Sequence, residues 1–144
     1  MILVTGSTGT LGSAISRRLS SSGVKIALQY HSNKDRAQSL AAELAGSGAE
    51  AFALEANLSL EGKASRLVRE AAERMGGLNL LVHAASTFDK TPLGTVTEEQ
   101  WDRIMAVDLK SAFFLAQEAG LMMQRGGGRM IFLSDVTAQR PYAG

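Results

Sequence analysis

The residues best placed to do chemistry form a glycine-rich segment near the N-terminus, and the chemistry they favour is phosphate binding. Glycine recurs at every third position in Val4-Thr5-Gly6-Ser7-Thr8-Gly9-Thr10-Leu11-Gly12, between an apolar run and a helical pattern. The first glycine permits a tight turn, the second lets the backbone approach a pyrophosphate, and the third lets the helix pack closely on the strand. Backbone amides at the helix start would hold the anion. The segment therefore predicts a dinucleotide site, with a plain glycine-rich turn as the alternative interpretation.

The residues about twenty positions further along indicate which nucleotide the site would accept. An NAD site of this kind has an acidic residue there, which binds the ribose 2′-hydroxyl at the end of the second strand. Here the place reads Leu28-Gln29-Tyr30-His31-Ser32-Asn33-Lys34, without a carboxylate. Nothing there would repel a 2′-phosphate, and the side chains of residues 31–34 supply donors that could hold one. The sequence favours NADP(H), with Tyr30, His31, Ser32 and Asn33 in the site, unless residues 31–34 are only turn and helix-cap residues.

Two kinds of apolar period alternate along the chain and predict strands and helices in a βαβ order. The predicted strands are residues 2–5, 24–30, 50–55, 79–84 and 129–134. The predicted helices are residues 10–22, 34–46, 61–76 and 98–124. This order predicts an α/β fold of Rossmann type, a doubly wound parallel sheet in a three-layer α/β/α arrangement, as one domain over residues 1–144.

The last predicted strand, residues 129–134, has a continuous apolar character. That character indicates that both faces and both edges of the strand are covered. Because the strand would lie at the edge of the predicted sheet, we expect either that the sequence is truncated and the sheet continues beyond residue 144, or that another chain covers the edge.

Local signals place the ends of two helices. The third helix carries one apolar stripe, formed by Ala64, Leu67, Val68, Ala71, Ala72 and Met75. Ser59 is its predicted N-cap, and Gly76-Gly77 is predicted to end it. The fourth helix opens with Thr97-Glu98-Glu99-Gln100, a capping box in which Thr97 and Gln100 each satisfy a backbone amide of the other.

The composition excludes several classes of protein. Fifteen basic and fourteen acidic residues give a net charge of +1, without the basic stripe of a nucleic-acid binder. The chain has no cysteine, and its two histidines, His31 and His83, lack ligand spacing, so no disulfide, thiolate or metal site is expected. No apolar run reaches the roughly 18 residues of a membrane span, and the N-terminus lacks a secretory signal. We expect a cytoplasmic protein with no nucleic-acid or membrane partner.

Four landmarks give the chain a family resemblance. They are Thr5-Gly6, Leu81-Val82-His83-Ala84-Ala85-Ser86, residues 101–115 and residues 130–141. In this order they resemble the successive motifs of short-chain dehydrogenases/reductases. Residues 85–93, followed by residues 97–101, are most similar to the pteridine reductases within that family.

The resemblance implies roles for residues along the carboxyl ends of the strands. Ala84, Ala85 and Ser86 would pass beside the ribose and nicotinamide of the cofactor, although close packing of a strand end would also require small residues. Asn57 and Leu58 would flank the adenine. Phe88 corresponds to an aromatic residue that stacks on the pterin ring, although a lone loop phenylalanine is also typical of a core or lid.

Two aspartates are the candidate catalytic residues. Asp135 stands where the family has its catalytic serine, and the pteridine reductases carry aspartate there. A carboxylate at that strand end could orient substrate or share a proton, or it could be an exposed acid in a turn.

Asp108 stands where the family has an asparagine that holds a water of the proton relay. Its spacing places it on one helix face with Trp101, Ile104, Met105, Ala112 and Leu115. A carboxylate buried in such a stripe must be paired or protonated. It would bind the relay water, pair with a basic residue outside this stretch, or lie harmlessly at the rim.

The sequence departs from the family pattern at several places. The reductase branch usually has a basic residue near Gly9 or Thr10, and His83 and Ala84 replace a pair of asparagines that brace the sheet. The tyrosine and lysine of the Tyr-x-x-x-Lys motif would follow beyond residue 144, and Tyr142 comes too early for that role. This stretch alone therefore lacks its general acid.

The resemblance implies an NADPH-dependent reductase of a carbonyl or pterin-like C=N substrate, working as a dimer or tetramer of identical subunits. A 3-oxoacyl-thioester reductase is one alternative. A non-catalytic NADP-binding module is the other, and it would need a partner chain to cover the last strand.

Overall fold

The computed structural model describes residues 1–124, 126–136 and 139–140. Strands and helices alternate in the order predicted, and their bounds are β1 Ile2–Thr5, α1 Thr10–Leu19, β2 Lys25–Tyr30, α2 Lys34–Gly46, β3 Glu50–Glu55, α3 Lys63–Met75, β4 Leu80–His83, α4 Glu98–Ile104, a π-helical segment Met105–Lys110, α5 Ser111–Met123 and β5 Arg129–Phe132. Among the described residues, no helix combines the length and the apolar character that crossing a bilayer requires.

The strands form one five-stranded sheet in the order β3-β2-β1-β4-β5, and every neighbouring pair is parallel. The chain first runs outward through β2 and β3, then returns to the other side of β1 for β4 and β5. All carboxyl ends therefore meet at one edge, and the direction of winding reverses between β1 and β4. Ligands of open α/β sheets bind at such a switch point. The predicted doubly wound parallel sheet is confirmed.

Helices cover both faces of the sheet because successive strand residues point to opposite sides. In β1, Leu3 belongs to the core beneath α3 and α5, together with Leu81 and Leu115. The next residue, Val4, belongs to the core beneath α1 and α2, together with Leu44. These two apolar layers hold the carboxyl edge of the sheet rigid.

The third helix shows one confirmed and one wrong prediction at its ends. Gly76 has φ 79° and ends α3, as predicted. Ser59 is not the N-cap, because α3 begins at Lys63 after Gly62. The Ser59 hydroxyl donates to Asn57 Oδ1 at 2.7 Å. The turn that follows β3 therefore uses this serine before the helix starts.

The predicted helix 98–124 is not one regular helix, because a π-helical segment separates α4 from α5. Thr97 caps α4 by accepting from the Gln100 amide at 3.1 Å. The reciprocal half of the capping box is wrong, since the Thr97 amide does not donate to the Gln100 side chain; the Nε2 of Gln100 donates instead to the Lys90 carbonyl at 3.5 Å. Each π turn contains more residues than an α turn, so side chains after it lie on a rotated face. The predicted apolar stripe is thereby broken: Leu115 is buried, whereas Trp101 is 58% exposed.

Strand β5 is shorter than the predicted 129–134, ending at Phe132. Its ladder to β4 continues for one more bond, from the Leu133 amide to the His83 carbonyl at 3.1 Å. Ile131 and Phe132 remain exposed. Among the described residues, β5 is therefore apolar but largely exposed. The prediction that a further part of the sheet or another chain covers this edge stays untested.

Candidate functional site

A cavity of about 280 Å³ lies along the carboxyl ends of β1 to β4, at the switch point of the sheet. Its wall is formed by the glycine segment, the ends of β2 and β3, the segment after β4 and one residue of the π-helical segment. The lining residues are Gly6, Thr8, Gly9, Gln29, Tyr30, His31, Ala56, Asn57, Leu58, Ala84, Ala85, Ser86, Thr87 and Val107. The structure therefore brings predicted cofactor residues from four separate segments into one wall.

The remaining predicted cofactor residues lie around the cavity and not in its wall; they are Ser7, Thr10, Leu11, Gly12, Ser32 and Asn33. Ser7 is buried, and its hydroxyl donates to the Gln29 carbonyl at 2.8 Å. The Asn33 side chain accepts from the Arg36 amide at 3.2 Å and so caps α2. The helix-cap alternative is thus realised for Asn33, while the 2′-phosphate role of these residues stays a prediction.

The glycine segment has the geometry that an anion site requires. Gly6 adopts φ 62°, and a Cβ there would lie 2.7 Å from the Ala84 carbonyl oxygen. The first bond of α1 runs from the Ser13 amide to the Gly9 carbonyl at 3.0 Å. The amides of residues 10–12 precede that bond and have no partner within the helix. They therefore leave the start of α1 able to bind an anion through backbone groups alone.

A buried histidine links β1 to β4 beside the cavity. The amides of Ala84 and Ala85 donate to Thr5 Oγ1 at 3.2 and 3.3 Å. Those two bonds use both lone pairs of the hydroxyl, so its proton is donated to His83 Nδ1, 2.8 Å away. His83 is then neutral, with its proton on Nε2, and this Nε2 has no hydrogen-bond partner in the described structure.

The pKa of His83 lies below its ordinary value of 6.5. Burial is the main cause, because His83 is only 4% exposed; the negative charge of Asp108 opposes the shift and is smaller. The folded state therefore favours the neutral ring. The neutral His83 ring therefore contributes its full stabilisation above pH 6.5, the ordinary pKa that it has in the unfolded state. That stabilisation is lost as the pH falls through the lower pKa that His83 has in the folded state.

As the pH is lowered from about 7 to about 5, we expect the free energy of unfolding to fall less steeply for His83→Asn than for the unmodified chain. The two slopes should differ by at most about 1.4 kcal/mol per pH unit, the limit for one proton. Urea unfolding followed by circular dichroism at several pH values measures this slope. His31→Asn, which changes an exposed histidine, is the matched control. An unchanged slope in His83→Asn would contradict the prediction.

Asp108 has a partner that the sequence did not suggest. Its carboxylate accepts from the Thr87 amide at 3.2 and 3.3 Å and from the Thr87 hydroxyl at 2.6 Å. Asp108 is half-buried on the π-helical segment, and Thr87 lines the cavity. The Asp108 carboxylate thus links the segment that follows β4 to the π-helical segment.

The comparisons with known proteins agree with this geometry. The family model described as short chain dehydrogenase matches residues 1–144, the whole of the sequence. The chain belongs to the short-chain dehydrogenase family. The hydroxynaphthalene reductase-like protein Arp2 of Metarhizium anisopliae is 34% identical over 136 residues, which are 94% of this chain and 51% of that protein. The chain thus spans about half the length of the curated relatives it matches.

Two solved structures superpose closely on the chain, and the first of them is a short chain dehydrogenase. One from Burkholderia cenocepacia J2315, in complex with NADP, gives a TM-score of 0.93 at 29% identity, covering 99% of this chain and 58% of that one. A blue fluorescent protein from a metagenomic library, in complex with NADPH, gives 0.87 at 32% identity, covering 96% of this chain and 57% of that one.

Two residues with predicted roles at the substrate do not line this cavity. Asp135 is exposed just after β5, and Phe88 is 94% exposed in the segment after β4. Neither lines the cavity wall. Their roles in catalysis and substrate stacking stay predictions, and Tyr142 lies outside the described residues.

Four of the residues that line the cavity were not predicted from the sequence: Gln29, Ala56, Thr87 and Val107. Gln29 carried a signal, since it is a polar residue near the end of the apolar strand β2. Val107 carried none, because its position depends on the π-helical segment.

Proposed function

We propose that this chain binds NADP(H) in the edge cavity as the cofactor-binding part of a short-chain oxidoreductase. The observation that carries the proposal is the cavity wall itself. It joins the glycine segment to a β2 end, Tyr30 and His31, that has no carboxylate. Glu55, which pairs with Tyr30 in register and accepts from its hydroxyl at 3.4 Å, is not part of that wall. The NADP and NADPH complexes of the structural neighbours support the same choice.

In this proposal the chain binds each part of the dinucleotide with a different segment. The amides at the start of α1 hold the diphosphate, and His31 with Ser32 binds the 2′-phosphate. Asn57 and Leu58 flank the adenine, while Ala84, Ala85 and Ser86 leave room for the ribose and nicotinamide. When bound, NADPH supplies a hydride for the reduction of a C=O or C=N group.

For the substrate we propose a flat bicyclic compound with a carbonyl or a pterin-like C=N group. The relatives named hydroxynaphthalene reductase-like support a bicyclic ring, a shape that pterins share. Asp108 and Asp135 would orient it or share a proton with the tyrosine that the family resemblance places beyond residue 144. We also propose a homo-oligomer, whose interface would cover the exposed Leu109 of the π-helical segment and the exposed Phe113 and Leu121 of α5. The cytoplasmic location stays a prediction.

The decisive experiment compares NADPH with NADH. We expect the chain to bind NADPH at least about tenfold more tightly, since one charge-assisted hydrogen-bond set to the 2′-phosphate contributes about 1.4 kcal/mol or more. Titration followed by nicotinamide fluorescence measures both dissociation constants. Equal affinities would contradict the NADP(H) assignment, and no binding of either nucleotide would contradict the proposed function.

The intact gene product separates the enzyme from a non-catalytic module. An enzyme would oxidise NADPH in the presence of a bicyclic ketone or a pterin. A product that binds NADPH but turns over neither class of substrate would favour the module.

A further inference from the structure

Gln29 makes a bridge between two walls of the cavity. It is the penultimate residue of β2 and is only 2% exposed. Its Oε1 accepts from the Gly6 amide at 2.7 Å, and its Nε2 donates to the Ala56 carbonyl at 2.8 Å. Gly6 starts the glycine segment on one side, and Ala56 precedes the predicted adenine wall on the other. One buried side chain thus connects the two halves of the site.

The orientation of this amide is determined by its partners. Gly6 offers only a donor and Ala56 only an acceptor, so the oxygen must face Gly6 and the nitrogen must face Ala56. The backbone carbonyl of Gln29 adds two further bonds, from the Ser7 amide at 3.0 Å and from the Ser7 hydroxyl at 2.8 Å. The turn at Gly6 and Ser7 is therefore held by residue 29 at three points.

We propose that Gln29 is a positioning residue that couples the diphosphate-binding turn to the adenine wall of the nucleotide site. This inference rests on the proposed function. An apolar side chain would fill the same place in the strand without desolvating an amide, so strand packing does not require glutamine. Both of its partners adjoin the cavity, and Gln29 itself lines it. The bridge therefore sets the distance between the groups that would hold the two ends of the ADP moiety.

The variant Gln29→Glu tests the bridge through pH. At pH 8 its ionised carboxyl keeps an acceptor for Gly6 but turns an oxygen toward the Ala56 carbonyl, and it adds a charge near the diphosphate. We expect NADP⁺ to bind at least tenfold more weakly than to the unmodified chain. A protonated carboxyl has one donor and one acceptor like the amide, so the ratio of the two dissociation constants should approach one as the pH falls toward 5.

Calorimetry with NADP⁺ measures these ratios, and Gln38→Glu, on the exposed face of α2, adds the same charge away from the cavity. We expect Gln38→Glu to stay within twofold of the unmodified chain at every pH. Titratable groups around the bridge are common to all three proteins and cancel in the ratios; they are Tyr30, His31, Glu55, Lys63, Arg66 and Glu70.

A merely structural role would lower the thermal midpoint of Gln29→Glu and leave its NADP⁺ affinity, measured well below that midpoint, within twofold of the unmodified chain. That result would overturn the inference while the proposed function stood. If the unmodified chain bound no NADP⁺, the proposed function would fail first, and the inference with it.

A measurement on the unmodified chain covers the case in which the variant does not fold. We expect the side-chain amide signals of Gln29 in a ¹⁵N correlation spectrum to shift on addition of NADP⁺, and those of Gln38 to stay in place. Binding of NADP⁺ without any shift of the Gln29 signals would overturn the inference.

Discussion

Gly12→Ala is expected to lower the free energy of unfolding by about 3 kcal/mol or more, the upper part of the range for overpacking in a well-packed region. A Cβ at Gly12 would lie 2.2 Å from the Gly6 carbonyl oxygen and 2.8 Å from its carbon. Both atoms belong to the backbone, so no side-chain rotation can relieve the contact. Helix α1 would have to move away from β1. Because the amides of residues 10–12 move with it, NADPH binding should be lost as well.

Urea unfolding followed by circular dichroism measures the loss of stability, and fluorescence titration measures the loss of binding. Gly46→Ala is the matched control, since Gly46 also lies in a helix, and a Cβ there would meet nothing within 4 Å. Alanine in a helix is favoured over glycine by about 0.5–1 kcal/mol, so this control should be neutral or slightly stabilising. If Gly12→Ala unfolded at the same urea concentration as Gly46→Ala, the close contact of α1 with the glycine turn would be refuted.

The parts of the fold that follow from local pattern could be predicted from the sequence. The apolar run of β1 and the amphipathic stripe of α3 each identify their own element, because burial on one face imposes a fixed period. The alternation of such elements then leaves a parallel sheet as the architecture, since right-handed crossovers place each helix on a face. The order β3-β2-β1-β4-β5 agrees with this expectation.

The π-helical segment Met105–Lys110 shows where local pattern fails. Its residues have ordinary helical spacing, so the sequence pattern does not mark the wider turn. The bonds from Thr87 to Asp108 join the segment to a distant part of the chain. A prediction that assumes 3.6 residues per turn therefore assigns the wrong face to residues on one side of it. The wrong N-cap prediction at Ser59 has a similar origin. The Ser59 hydroxyl donates to Asn57 in the turn after β3 and does not cap the helix, and helix-cap preferences alone do not predict that bond.

The residues of the candidate site also fall into two groups, those that the sequence identifies and those whose roles depend on the fold. Gly6, Gly9 and Gly12 could be found from the sequence, because in a strand–turn–helix unit a side chain at one of these positions would hinder the tight turn, the approach of a diphosphate or the packing of the helix on the strand. Gln29 and Thr87 could not be assigned, since their roles come from partners far away in sequence: Gly6 and Ala56 for the first, Asp108 for the second. Residues defined by a motif can therefore be assigned from the sequence, whereas the roles of the residues that position them can be assigned only from the fold.

Gly9→Asp is expected to separate folding from nucleotide binding. Gly9 is the N-cap of α1 with φ −76° and ψ 170°, a conformation that any residue adopts, and a Cβ there would meet only the Gly6 carbonyl oxygen, at 3.3 Å. Aspartate is a preferred N-cap and its charge suits a helix start, so stability should stay within about 1 kcal/mol of the unmodified chain. The carboxylate would occupy the amides that the diphosphate needs and repel it. NADPH affinity should fall about a hundredfold, equivalent to about 2.8 kcal/mol.

Gly9→Asn isolates the charge in this prediction, because asparagine caps a helix equally well and has the same shape. Fluorescence titration and urea unfolding of the two variants should give similar stabilities but a clearly weaker NADPH affinity for Gly9→Asp. Equal losses of affinity would mean that the side chain acts by bulk alone. An affinity unchanged in both would mean that the diphosphate does not lie at the start of α1, and the cavity would then need a different occupant. Because Gly12→Ala is expected to lose stability and binding together, only the Gly9 pair can show that the anion site is separable from the packing that supports it.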